Sequence, residues 1–127
     1  VNSEQPALNL NQLTETQTMT DPTERKNTPV ASGVLDYFPD AIRAIAQCSL
    51  AGNEQHNPGS ELHWDRSKSG DEADAMMRHF MERGTVDSDG IRHSTKAAWR
   101  ALALLQKEIE ADLPLTWEYE IPPTVGI

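Results

Sequence analysis

The sequence predicts an all-α fold, a small bundle of three main helices completed by self-association and flanked by extended N- and C-terminal tails. Three observations predict it. Apolar residues recur at three- and four-residue spacing in three separate stretches. Glycine, proline and capping residues punctuate the ends of those stretches. Nearly all the aliphatic periodicity falls between residues 34 and 109, so the core must come from the middle of the chain. At 127 residues this is one modest domain at most, divided into a polar, flexible N-terminal arm at 1–33, a helical domain at 34–112 and a Pro-rich acidic tail at 113–127.

The arm is rich in Asn, Gln, Thr, Glu and Pro without a sustained period, a composition that cannot bury enough surface to fold alone. The first helix, 37–51, places Leu35, Phe38, Ile42, Ile45 and Ala46 on one stripe. Pro39 suits its first turn, and Gly52-Asn53 offers a left-handed stop. Cys48, the only cysteine, lies among apolar positions of this helix and reads as a packing residue, with a reactive thiol as the alternative. A connection follows whose Asn57-Pro58-Gly59 reads as a turn, too long for a tight link.

The second helix, 70–83, opens on Ser69-Gly70-Asp71-Glu72, a capping-box pattern. It carries Ala73, Met76, Met77, Phe80 and Met81 on one stripe before Gly84. The third, 90–112, starts at Asp89 as N-cap and aligns Ile91, Ala98, Leu102, Leu105 and Ile109, with Trp99 and several alanines widening the face. In the tail, Trp117, Tyr119 and Ile121 alternate with Glu118 and Glu120 as a short half-exposed strand would, a segment able to dock on the domain or on a partner protein. Three such helices supply a thin core, which predicts a homo-oligomer formed through the second and third.

Eleven Lys and Arg against twenty Asp and Glu give a formal charge of -9 without any dense basic stretch, which disfavours nonspecific nucleic-acid binding. No apolar run approaches the roughly twenty residues of a membrane span, and no signal-peptide pattern opens the chain. The expectation is a soluble, cytoplasmic protein with no membrane partner. Walker, dinucleotide-binding and nucleophile-elbow motifs are all absent.

The charges that remain have an order. Asp71, Asp74, Arg78 and Glu82 share one face of the second helix, with His79 beside it; His93, Lys96 and Arg100 form a row on the third; Asp87-Ser88-Asp89-Gly90 lies between. Packed antiparallel, the two helices would set carboxylates against cations near the connecting turn. Phosphate chemistry with Mg²⁺ or Mn²⁺ needs that arrangement, because hard cations take carboxylate oxygens while Lys and Arg hold the remaining phosphate oxygens. A solvated surface of ion pairs has the same spacing.

A calcium-binding EF-hand is excluded, since Thr85 and Lys96 fall where its first and last ligands belong. His56 and His63 are placed in the connecting loop. With no HExxH pair and no cysteine partners, a structural zinc site has little support, and a mixed site of His79, His93 and carboxylates is the metal alternative. Trp64 either stacks on a nucleobase or anchors its loop to the core.

The run from about 28 to 110 resembles the phage and bacterial domain described as the N-terminal domain of dATP/dGTP diphosphohydrolases. The resemblance rests on GNEQHNPG with LHW, on DAMMRH from Asp74 to His79, on GTVDSDGIRH from Gly84 to His93, and on the KAAWRALALL helix. It implies an all-α domain akin to the MazG-like nucleoside triphosphate pyrophosphohydrolases, which release monophosphate and pyrophosphate using a divalent metal on acidic helix residues.

Their ExxE and ExxD pattern is matched here only by Glu54xxAsn57 with Asp71xxAsp74, or by a second registration that pairs the helix from Asp74 to Glu82 with the one from His93. Both retain Asp74. The resulting expectation is a phage-encoded, metal-dependent hydrolase of purine (deoxy)nucleoside triphosphates acting in nucleotide-pool control. Asp74, with Asp71 or Glu54, holds Mg²⁺ or Mn²⁺, and Glu82, Asp87 and His93 are further candidate ligands. A carboxylate or His79 orients water, and Lys96, Arg100 and Arg78 hold phosphate. The loop with His56, His63 and Trp64 closes over the base. The rival is a non-catalytic interaction or structural protein, of a virion or a phage-host complex, that binds partners through its tails. An acidic DNA mimic ranks last, because the charges are mixed with cations along the helices.

Overall fold

The computed structural model describes residues 20–112. They form a short helix α1 (Pro22–Lys26), a π-helical turn (Ala31–Leu35), and three longer helices, α2 (Pro39–His56), α3 (Glu72–Met81) and α4 (His93–Ala111). The all-α expectation holds, and three main helices carry the domain. Among the described residues the only β-type pairing is an isolated bridge between Val86 and Arg92.

α1 lies inside the polar arm, where no apolar period announces it. It exists through its ends: Asp21 Oδ1 accepts from Thr23 N at 3.0 Å and Pro22 occupies the first turn. The expected strand at Trp117–Ile121 lies outside the described residues.

Each main helix departs from its expected bounds. α2 runs through Gly52 and Asn53 to His56 instead of stopping at 51. The left-handed glycine is Gly59 (φ 81°), with Pro58 before it and Ser60 N bonded to Asn57 O at 3.1 Å, the pattern of a type II turn. Glu54 and His56 are therefore helical, and His56 is not in the connecting loop.

At α3 the capping box does not form. Asp71 is the N-cap without a side-chain cap bond, and Glu72 turns away to meet cations on α4. α4 starts at His93 rather than 90, because Asp87 to Ile91 close a tight turn first. In it Asp87 N bonds Ile91 O at 2.8 Å, Gly90 N bonds Asp87 O at 2.9 Å, and Gly90 sits at φ 83°. Asp89 caps this turn, accepting from Ile91 N at 3.1 Å, rather than the helix.

α3 packs mainly on α4, and α4 also packs on α2. The contact is close because it is made of small residues: the buried apolar side chains are Ala75, Ala97 and Ala103. Larger apolar groups stay outward, among them Met77, Phe80, Met81, Leu102 and Leu105. Polar ties compensate. Trp99 Nε1 donates to Ser49 Oγ at 2.6 Å, joining α4 to α2, and Arg66 donates twice to Glu110, pinning the long connection onto α4.

Candidate metal centre and adjoining cavity

The turn after α3 brings Asp87 and the first residue of α4, His93, against His79 on α3. One donor atom from each of the three lies within 4.8 Å of the others. His79 Nδ1 and His93 Nδ1 are 2.9 Å apart, and His93 Nδ1 is 4.0 Å from Asp87 Oδ2. A contact that short between two ring nitrogens needs a proton on one of them or a cation between them. Adjacent ligands set at right angles about 2.1 Å from a metal stand about 3.0 Å apart, so the spacing fits the edge of a coordination shell.

Burial, then the neighbouring His93 and Lys96, hold the His79 imidazole below its ordinary pKa, which keeps a lone pair available. On its far side His93 presents Nε2 to Glu82 Oε2 at 3.7 Å, the place of the carboxylate that orients a metal-bound imidazole.

Lys96 sits beneath this cluster, donating to Asp87 Oδ2 and Asp89 Oδ2 at 2.7 Å each. With the Ser88 backbone N–H it pulls Asp87 down to about 2, and Asp89 is lowered chiefly by the same lysine. Burial works against the Lys96 charge, but the two carboxylates outweigh it and raise its pKa. Two carboxylates on one ammonium leave a net negative charge beside the histidine pair.

A cavity of about 770 Å³ opens from here between α2, α4 and the long connection. His79, Asp89, Lys96 and Arg100 line it together with Asn53, His56, His63, Trp64, Lys68 and Trp99. Trp64 meets Trp99 edge to face, centroids 5.7 Å apart, and the Arg66 guanidinium lies 4.1 Å over its ring. Trp64 thus both anchors its loop and walls the cavity.

On the same wall Glu72, 3% exposed, accepts from Arg100 Nη1 at 2.8 Å and Lys107 Nζ at 2.7 Å. Burial pushes its carboxyl up, and the two cations overcome this and lower it. Two cations share one carboxylate, so this region keeps a net positive charge. Burial also raises the pKa of Cys48, another cavity residue, which makes it a poor nucleophile.

Of the residues singled out in the sequence, His79, Asp87 and His93 converge as a possible metal site, and His56, His63, Trp64, Lys96 and Arg100 reach the cavity. Asp74 and Glu54 are exposed and belong to neither group. Asp71 is tied to Arg78 at 3.2 Å on the outer face of α3, away from both. Glu72, Asn53, Lys68 and Trp99 were not candidates. Glu72 was absorbed by the capping pattern, and Trp99 by the apolar stripe.

Fold and site together define a small all-α domain carrying a His/Asp cluster at the wall of a cavity. A family model described as dATP/dGTP diphosphohydrolase, N-terminal, matches residues 20–113, and the chain belongs to that family. No curated protein and no solved structure matches it.

Proposed function

We propose that the domain hydrolyses purine (deoxy)nucleoside triphosphates to monophosphate and pyrophosphate, with a divalent cation held by His79, Asp87 and His93. One observation carries this reading: His79 belongs at once to the three-residue cluster and to the cavity wall. The family description supports a diphosphohydrolase class. Two imidazoles and one carboxylate suit Mn²⁺ better than Mg²⁺, which prefers all-oxygen ligation. Such a cation supplies charge neutralisation and orientation of phosphate oxygens.

The remaining roles fall to the chain itself. Arg100, in the region of net positive charge, and Lys68, whose ammonium has only the neutral Asn57 Oδ1 as its bonded partner among the described residues, hold phosphate. Asp89, kept ionised by Lys96, positions the attacking water. Trp64 and Trp99 provide apolar walls for the base. Lys96, expected to hold phosphate, instead serves the two aspartates. The reading includes a homo-oligomer acting on nucleotide pools in the cytoplasm of a phage-infected cell.

The test is incubation of the purified chain with dATP, dGTP and GTP, with and without Mn²⁺, following monophosphate and pyrophosphate. Turnover that needs Mn²⁺ and is lost in His93→Ala supports the reading. Absence of turnover with any divalent metal sinks it and leaves the interaction protein. Turnover that survives His93→Ala moves the metal site elsewhere.

A further inference from the structure

Asn53 lies near the end of α2 on the cavity wall and is 7% exposed. Its Nδ2 donates to Ser60 O at 3.2 Å. Its Oδ1 is buried with no hydrogen-bond partner, alone in this among the buried side-chain polar atoms of the described residues. Turning the amide over does not help, because it would set two oxygens face to face at Ser60. Buried acceptors are nearly always paired, so a single orphan in the wall of the cavity points to a donor that arrives with a ligand.

Several facts narrow that donor. It is an N–H or O–H, since Oδ1 only accepts. The walls shared with Asn53 are the indoles of Trp64 and Trp99, suited to a flat, largely apolar group rather than to phosphate. The net positive charge lies at Arg100, on the same cavity, where an anionic part of the same ligand would go.

We infer that Asn53 Oδ1 reads the exocyclic amino group of the nucleobase and so sets base specificity. The inference rests on the nucleotide reading above and deepens it. The oxygen is covered, so seating the amine requires a local opening beside Asn53. A site built to hydrogen-bond an amine rejects the analogue that lacks it, because the acceptor is then left unmade.

The experiment measures equilibrium binding to the full chain with Mn²⁺ by calorimetry, using α,β-methylene triphosphates so that binding is separated from turnover. Two pairs are compared: deoxyadenosine against purine deoxyriboside, which lacks the 6-amine, and deoxyguanosine against deoxyinosine, which lacks the 2-amine. The amino-bearing member of at least one pair should bind about tenfold tighter, and the pair that discriminates tells which amine is read. In Asn53→Ala the ratio should fall close to one. Equal binding within both pairs overturns the inference and leaves the hydrolase reading standing, and so does discrimination that persists in Asn53→Ala. If that variant fails to fold, the wild-type pairs decide alone. No binding of any triphosphate overturns both readings.

Discussion

Nδ1 of His79 on α3 and Nδ1 of His93 at the start of α4 stand 2.9 Å apart, tying the two helices together beside the connecting turn. Ligation needs both nitrogens unprotonated. Mn²⁺ binding, followed by the loss of the free-ion electron paramagnetic resonance signal, should therefore be firm at neutral pH and weaken in acid as His79 is protonated. The lowered pKa of His79 moves its own protonation to the acid side of the ordinary imidazole value of about 6.5. Either His79→Ala or His93→Ala should weaken binding by tenfold or more. Wild-type affinity in both variants would show that no metal sits here.

The buried Glu72 is the stability counterpart of that site. Its two partners, Arg100 and Lys107, are 30% and 25% exposed at the side chain, so they are only partly hydrated without it. Removing one member of a buried pair commonly costs about 3–5 kcal/mol. Glu72→Ala should fall in or just below that range by urea unfolding, with Glu72→Gln losing less because its amide oxygen still accepts. A cost under about 1 kcal/mol for the alanine variant would mean the carboxylate is a bystander.

Arg66 and Glu110 give a pH signature distinct from both. Burial raises the Glu110 carboxyl, but the hydrogen bonds from Arg66 and Gln106 win and hold it below the usual carboxylate range. A depressed folded pKa stabilises above the unfolded value, about 4.3, and that stabilisation disappears as pH falls through the lower folded value. The urea midpoint of the wild type should accordingly drop more steeply than that of Glu110→Gln as pH is taken from 5 towards 3. Parallel curves would remove Glu110 from the acid response.

What the sequence revealed depended on how local the cause was. Helical stripes at Ile42 and Ile45, or at Leu102 and Leu105, are periodic, and they located α2 and α4. The Asn57-Pro58-Gly59 turn was equally plain, since its chemistry is contained in three residues. The capping box at the start of α3 failed where tertiary partners competed with local ones. Ser69 and Glu72 spell a capping box, yet Arg100 and Lys107 claim the glutamate from more than a helix length away in sequence. Asp74 looked central because both acidic registrations kept it, but spacing along one helix says nothing about which face the neighbouring helix covers. His79, Asp87 and His93 were visible as residue types. Their convergence depends on the turn at Gly90, whose geometry spacing does not encode.

The proposed self-association is supported by how little the described residues bury. The apolar core of the described residues is three alanines, while Met77, Phe80 and Met81 on α3 are 47%, 49% and 79% exposed, and Leu102 and Leu105 on α4 are about half exposed. An open groove lined by Met76, Met77, Phe80, Ala97, Ala98 and Ala101 runs between these helices. Three alanines do not offset the entropy of ordering the described residues, so these helices call for further apolar contact. In the proposed homo-oligomer the occupant is a second copy: its own Phe80 and Met77 present the bulk that the alanine-floored groove lacks, and a twofold contact uses the same patch on both sides. Sedimentation velocity of the full chain at micromolar concentration should show a dimer or larger species. Phe80→Glu places a charge in that contact and should shift the distribution towards monomer and lower the thermal midpoint, whereas Glu108→Gln, on the exposed side of α4, should do neither. A wild type that sediments as a stable monomer would mean the three helices hold themselves together by their polar ties alone.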